Sequence, residues 1–184
     1  FASWRREMHK RPETAFEEFW TSDFIASKLK EWGIEHERGW AKTGIVATLH
    51  GKNSAAGSKD KTVILRADMD ALDIHEETGL EYCSTHDGKM HGCGHDGHSA
   101  MLMTAAQYLS RHTDEFDGTV HFVFQPAEEG AGGARVMVEE GFFDKYPCKA
   151  IYGLHNWPAI EKGKMAICAG PMTAASDRVE MTLK

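Results

Sequence analysis

Two hydrophobic periodicities alternate along this chain, and the alternation restricts the architectures open to it. Phe16, Phe19, Phe24 and Leu29 recur among Glu, Lys and Ser at helical spacing, which predicts a helix from about Thr14 to Trp32 stopped by Gly33. Thr43 to His50 and Thr62 to Leu65 read as strands, separated by a Gly/Ser/Lys turn from Gly51 to Asp60. Gly97 to His112 reads as a helix, Thr119 to Phe124 as a strand and Gly133 to Glu140 as a helix. Strands are expected again at Ala150 to Leu154 and Lys164 to Cys168. This order predicts an α/β layer architecture around a mostly parallel sheet. Ligands in such sheets bind beyond the carboxyl ends of the strands. Glycines crowd into Gly88–Gly97 and Gly130–Gly133, beside those expected ends.

At 184 residues the chain is long enough for one domain with a real core. Lys and Arg total 21 against 28 Asp and Glu, a net charge of −7, which argues against a nucleic-acid or anionic-membrane surface. No apolar run approaches the roughly 20 residues that span a bilayer. The four cysteines, Cys83, Cys93, Cys148 and Cys168, form no C-x-x-C pair, which excludes a zinc ribbon and a thioredoxin-like redox motif. Reduced thiols and a cytoplasmic setting are expected. The first residue is Phe1, and the last eight, Asp177 to Lys184, alternate as a strand does, so the sequence reads as part of something larger.

Four segments carry candidate chemistry. His91-Gly-Cys93-Gly-His95-Asp96-Gly-His98 interleaves thiolate and imidazole ligands with glycines that let the backbone bend around one ion. It also reads as a polar loop of solvated histidines. Glu128 and Glu129 follow the strand ending in Gln125-Pro126, and two adjacent carboxylates there need a compensating positive charge. A metal ion supplies it, one carboxylate ligating while the other acts as base. A solvated acidic pair at a helix start is the alternative. Asp68 and Asp70, at the end of the third predicted element, suit carboxylates that orient histidine ligands or cap a following helix. His155 ends a strand before Asn156-Trp157-Pro158, and alone reads as a core or edge histidine. All four segments fall on the same expected sheet edge, and that convergence favours a metal centre.

These residues resemble the metal-dependent amidohydrolases of the aminoacylase/carboxypeptidase metallopeptidase group. That group includes hippurate hydrolases, N-acyl-amino-acid deacylases and indole-acetyl-amino-acid hydrolases. The matching stretches are RREMHKRPETAFEEFWTS, the TG of KTGIVATLHG, LRADMDAL, MHGCGHDGHSAML, FVFQPAEEGAGGARVMVEEG, GLHNWP and GPMTAASDRVEMTLK. The resemblance implies a three-layer catalytic domain of the dinuclear metallopeptidase type, with two divalent ions (zinc, or else manganese, cobalt or nickel). It implies Cys93, His95, Glu129 and His155 as metal ligands, Glu128 as general base and Asp70 as the carboxylate orienting the ligands. His91, His98, Asp68 and Asp96 stay unassigned, close behind the ligands. Asp73 stands where the family often has proline. The implied activity is hydrolysis of the amide bond of N-acyl amino acids such as hippurate. A dipeptidase or carboxypeptidase of the same group, or an inactive metal-binding fragment, is the alternative. Residues 1–175 are expected to be the N-terminal part of the catalytic domain, and 176–184 the first strand of an inserted lid. That lid would cap the site and mediate homodimerisation. Its histidine and the last metal-ligating histidine are absent from these residues, so the 184 residues alone are expected to show little activity.

Overall fold

The computed structural model describes residues 1–52, 54, 59–173 and 179–183. In chain order the elements are α1 (Ala2–His9), α2 (Phe19–Glu31), β1 (Glu35–Trp40), β2 (Gly44–His50), β3 (Thr62–Asp68), α3 (His95–Ser110), β4 (Thr119–Gln125), α4 (Gly133–Glu139), α5 (Phe142–Lys145) and β5 (Ala150–Gly153). The strands form one sheet in the order β1-β2-β4-β3-β5. Side chains alternate across it because successive Cβ atoms in a strand point to opposite faces. Ile45, Ala47 and Leu49 of β2, with Val120, Phe122 and Phe124 of β4, pack against Met8 of α1, Ile25 and Leu29 of α2 and Met103 of α3. Val46, Ile64 and Val123 face the other way, onto Met137 of α4 and Phe142 of α5. Helices on both faces of one sheet give the expected three layers.

The sheet is mixed. β4 pairs in parallel with β3, and β3 with β5, but β1–β2 and β2–β4 are antiparallel. The expected parallel character therefore holds only on the β4-β3-β5 side. That side matters most, because parallel register brings the carboxyl ends together: Asp68 lies opposite Gln125, and Arg66 opposite Gly153. Asp70, Glu128, Glu129 and His155 all leave the sheet at this edge.

Several boundaries differ from the expected ones for local reasons. The helix predicted from Thr14 begins at Phe19, because the Glu13 carboxylate accepts the Trp20 and Thr21 backbone N–H groups at 3.0 and 2.8 Å. Those donors lack intrahelical partners at a helix start, so the side chain that takes them fixes where the helix begins. β1 (EHERGW) escaped sequence reading because its pattern is charged. It is an edge strand, where charged side chains keep a sheet from pairing further. α1 and α5 were likewise unanticipated. The strand expected at Lys164 to Cys168 does not form. Of the strand expected at Asp177 to Lys184, residues 179–183 are described and carry no strand, while 177, 178 and 184 lie outside the described residues. Residues 53 and 55–58 of the expected 51–60 turn lie outside them too. Among the described residues no helix is long and apolar enough to cross a membrane.

Phe122 is fully buried at the centre of β4. Phe122→Ala is expected to cost about 3–5 kcal/mol through lost burial and the cavity left behind. The shift in urea midpoint at constant slope checks it.

Candidate metal centre

α3 opens on His95, and the backbone turn that delivers it depends on Gly94. That residue has a φ of +96°, a region L side chains avoid, and a Cβ there would strike the Asn156 side-chain amide. His95 is fully buried. Its Nδ1 donates to Asp70 Oδ1 at 3.2 Å, which turns the other ring nitrogen, with its lone pair, toward the sheet edge. Nε2 lies 3.6 Å from Glu129 Oε1 and 3.9 Å from Glu128 Oε2. Neither His95 Nε2 nor Glu129 Oε1 has a hydrogen-bond partner, although both are buried. Two unsatisfied polar atoms facing each other beyond hydrogen-bond distance are costly unless a cation sits between them.

The backbone around the two glutamates is held from two sides. Asp70 Oδ2 accepts the Glu129 N–H at 2.9 Å, so one carboxylate orients both His95 and Glu129. Ala127 adopts a left-handed φ of +53°, and its N–H donates to buried Glu18 at 2.9 Å. Glu18 also accepts the Thr43 hydroxyl at 2.6 Å, tying the start of α2 to the loop that carries Glu128. A non-glycine residue in that conformation persists only where its surroundings hold it.

Cys93 and His155 complete the cluster. Cys93 Sγ is 3.4 Å from His155 Nε2, while His155 Nδ1 donates to the Asn156 carbonyl at 2.6 Å. Asn156 is placed by His98, whose Nε2 accepts the Asn156 N–H at 3.0 Å and whose Nδ1 donates to Asp68 Oδ1 at 2.7 Å. Arg66 in turn pairs with Asp68 Oδ2 at 2.8 Å. Among the described residues, three sets of potential ligand atoms lie close enough together to hold a metal ion: Cys93, His95 and His155; His95, Glu128 and Glu129; and Asp68, His95 and His98. His95 belongs to all three. The structure thus brings together all six residues singled out in the sequence.

Acidity dominates the electrostatics. Burial, then Glu129, Asp68 and Glu128 nearby, push the Cys93 thiol up to about 12. Burial and the Glu129 charge raise Glu128 as well. Burial disfavours the charged form of His95, but the Asp70 hydrogen bond and the charges of Asp68, Asp70 and Glu129 prevail and raise its pKa. Burial leads the rise at Cys93 and Glu128, and the clustered carboxylates add to all three shifts; clustered negative charge is the condition a divalent cation relieves. The donor set of thiolate, imidazole and carboxylate fits zinc and its neighbours in the first transition row.

Sequence reasoning left a second buried group unassigned. Asp96 pairs with His9 at 2.7 Å and Arg5 at 2.8 Å, and His9 reaches Glu76 at 3.1 Å. The R-x-x-x-H spacing of Arg5 and His9 was available as a signal, but only once α1 was recognised as a helix. His91 is buried with neither ring nitrogen hydrogen-bonded, and burial lowers its pKa to about 4.

Residues 64–183 match peptidase family M20/M25/M40. The chain belongs to that family. It is 44% identical over 177 residues to the hippurate hydrolase of Campylobacter jejuni, covering 96% of this chain and 44% of that protein. It is 43% identical over 180 residues to the N-acetyl-L-cysteine deacetylase of Bacillus subtilis, covering 98% and 42%. The crystal structure of Bacillus subtilis YXEP, a dinuclear metal binding peptidase of the M20 family, superimposes with a TM-score of 0.79 at 40% identity, covering 86% of this chain and 43% of that one. The chain therefore spans less than half the length of these relatives.

Asp68 supplies a pH test in metal-free protein. Burial opposes its ionisation, but the His98 hydrogen bond and the charge of Arg66 prevail and hold its pKa at about 2, against 3.8 ordinarily. A carboxylate depressed on folding contributes stability above its unfolded pKa and loses it as pH falls through the folded value, here worth about 2 kcal/mol. With chelator present, the stability gap between wild type and Asp68→Asn should be full at pH 7, shrink below pH 4 and close near pH 2. Urea unfolding across that range measures it.

Proposed function

We propose that this protein hydrolyses the amide bond of N-acyl amino acids, hippurate-like or N-acetylated, at a dinuclear metal centre. The observation that carries the proposal is the pair of unsatisfied buried atoms, His95 Nε2 and Glu129 Oε1, with the half-exposed Glu128 carboxylate beside them. Cys93, His95, Glu129 and His155 would hold the ions, and Asp70 keeps His95 in the ligating tautomer. Bound divalent ions supply Lewis acidity toward water and the scissile carbonyl.

Glu128 serves as the general base. It accepts a proton from the attacking water and returns it to the departing amine nitrogen. Its environment suits both halves of that cycle: burial and the Glu129 charge raise its affinity for the proton, and partial exposure gives it access to the substrate side. Zinc is the favoured ion because one ligand is a thiolate, with manganese, cobalt and nickel as alternatives. The substrate class is supported by the relatives named for hippurate and N-acetyl-L-cysteine. A homodimer and a cytoplasmic setting belong to the same proposal, supported by the resemblance and the cysteine content.

In the full-length protein, Glu128→Gln should lower kcat by about 10²–10⁴-fold while metal content stays near wild type. A variant retaining most of its rate would refute the base assignment. Chelation should abolish turnover, and added zinc, manganese or cobalt should restore it. Rates on hippurate, N-acetyl amino acids and unblocked dipeptides decide the substrate class, since preference for free dipeptides would make the protein a dipeptidase.

A further inference from the structure

Behind the candidate ligands lies a buried charged cluster that the proposed reaction does not use. α1 carries Arg5 and His9 one helical turn apart, on one face. His9 is 2% exposed, with Nδ1 at 2.7 Å from Asp96 Oδ2 and Nε2 at 3.1 Å from Glu76 Oε1. Both neighbours are carboxylate oxygens, which only accept, so both ring nitrogens must donate. His9 is therefore an imidazolium bridging two carboxylates. Asp96 is 1% exposed, receives Arg5 Nε at 2.8 Å through Oδ2 and caps the Gly97 N–H at 2.8 Å through Oδ1. Glu76 accepts the Ser84 N–H at 2.6 Å and the Thr78 hydroxyl.

The two ends of this bridge grip different pieces of chain. Asp96 follows His95 directly and sits in the first turn of α3. Glu76 belongs to the long segment that leaves β3 and runs toward Cys93, and it draws residues 78 and 84 of that segment onto itself. The cluster thus holds the chain on both sides of Cys93 and His95, from outside the ligand set. Neither charge can be released cheaply, because a buried carboxylate left without its partner is strongly destabilised.

We propose that His9, assisted by Arg5, is a positioning residue for the metal site: by clamping Asp96 and Glu76 it sets the geometry in which Cys93 and His95 meet one ion. The inference rests on the metal-centre reading above. It differs from simple structural support in what it moves, since residues that orient ligands typically change metal affinity or activity by about 10–100-fold.

The test uses cobalt(II) loaded into full-length protein, comparing wild type, His9→Gln, Arg5→Gln and, as a control, Glu7→Gln, which removes only the exposed pairs of Glu7 with Lys10 and Arg11. Cobalt affinity is measured by chelator competition, the ligand field by visible absorption, and kcat and KM separately. His9→Gln is expected to weaken cobalt binding about 10–100-fold, shift the absorption bands and lower kcat with KM little changed. Arg5→Gln should show the same changes at smaller size, and it carries the test if His9→Gln does not fold. Glu7→Gln should match wild type. A lowered Tm with unchanged cobalt affinity and spectrum overturns the proposal and leaves a mere buttress. Wild-type protein that binds no cobalt overturns the metal centre, and this inference with it. Wild-type protein that binds cobalt without cleaving N-acyl amino acids refutes the substrate reading, while a shift in the variants would still uphold the clamp.

Discussion

The hydrogen bond between Asp70 and His95 is the contact on which the candidate centre depends. It joins the exit of β3 to the first residue of α3, fixes which nitrogen of a buried imidazole carries the proton, and leaves the other facing Glu129 and Glu128. The second Asp70 oxygen takes the Glu129 N–H, so the same carboxylate holds a donor on each side of the proposed ion. Because His95 is shared by all three candidate ligand sets, whatever disturbs its ring disturbs the whole centre.

Around that contact the protein concentrates negative charge and then restrains it from behind. Asp68 is matched by Arg66 and His98, and Asp96 by Arg5 and His9. Cys93, Glu128 and Glu129 have no arginine or lysine partner of this kind among the described residues, and burial, then the neighbouring negative charge, raises the Cys93 and Glu128 pKa values. The carboxylates that lie behind, Asp68 and Asp96, are each paired with an arginine and a histidine, whereas Glu128 and Glu129 face His95 Nε2 at 3.9 and 3.6 Å. This division follows from burial: a paired carboxylate can stay buried and rigid, whereas an unpaired group must either take a proton or bind a metal.

Much of the fold could be read from local pattern. β2, β3, β4 and α3 were placed to within a few residues because their apolar spacing is strong and their flanking turns carry glycine. The edge strand β1 and the short helices α1 and α5 were not, since β1 is mostly charged and the two helices span only eight and four residues. The antiparallel placement of β2 beside β4 was equally hidden. Hydrophobic alternation reports which face a side chain takes, and it is silent about strand direction or order.

The sequence by itself determined the inventory of candidate groups: thiolate, imidazole and adjacent carboxylates set next to glycines at strand ends. Only the tertiary structure decided which of these groups are satisfied and which are left open. His98 and Asp96 look no different from His95 in the string His91 to His98, yet the fold gives His98 the partners Asp68 and Asn156, gives Asp96 the partners Arg5 and His9, and leaves His95 Nε2 without one. Those partners lie from 30 to 91 residues away along the chain. Contacts at such separations follow from packing, because no local propensity encodes them.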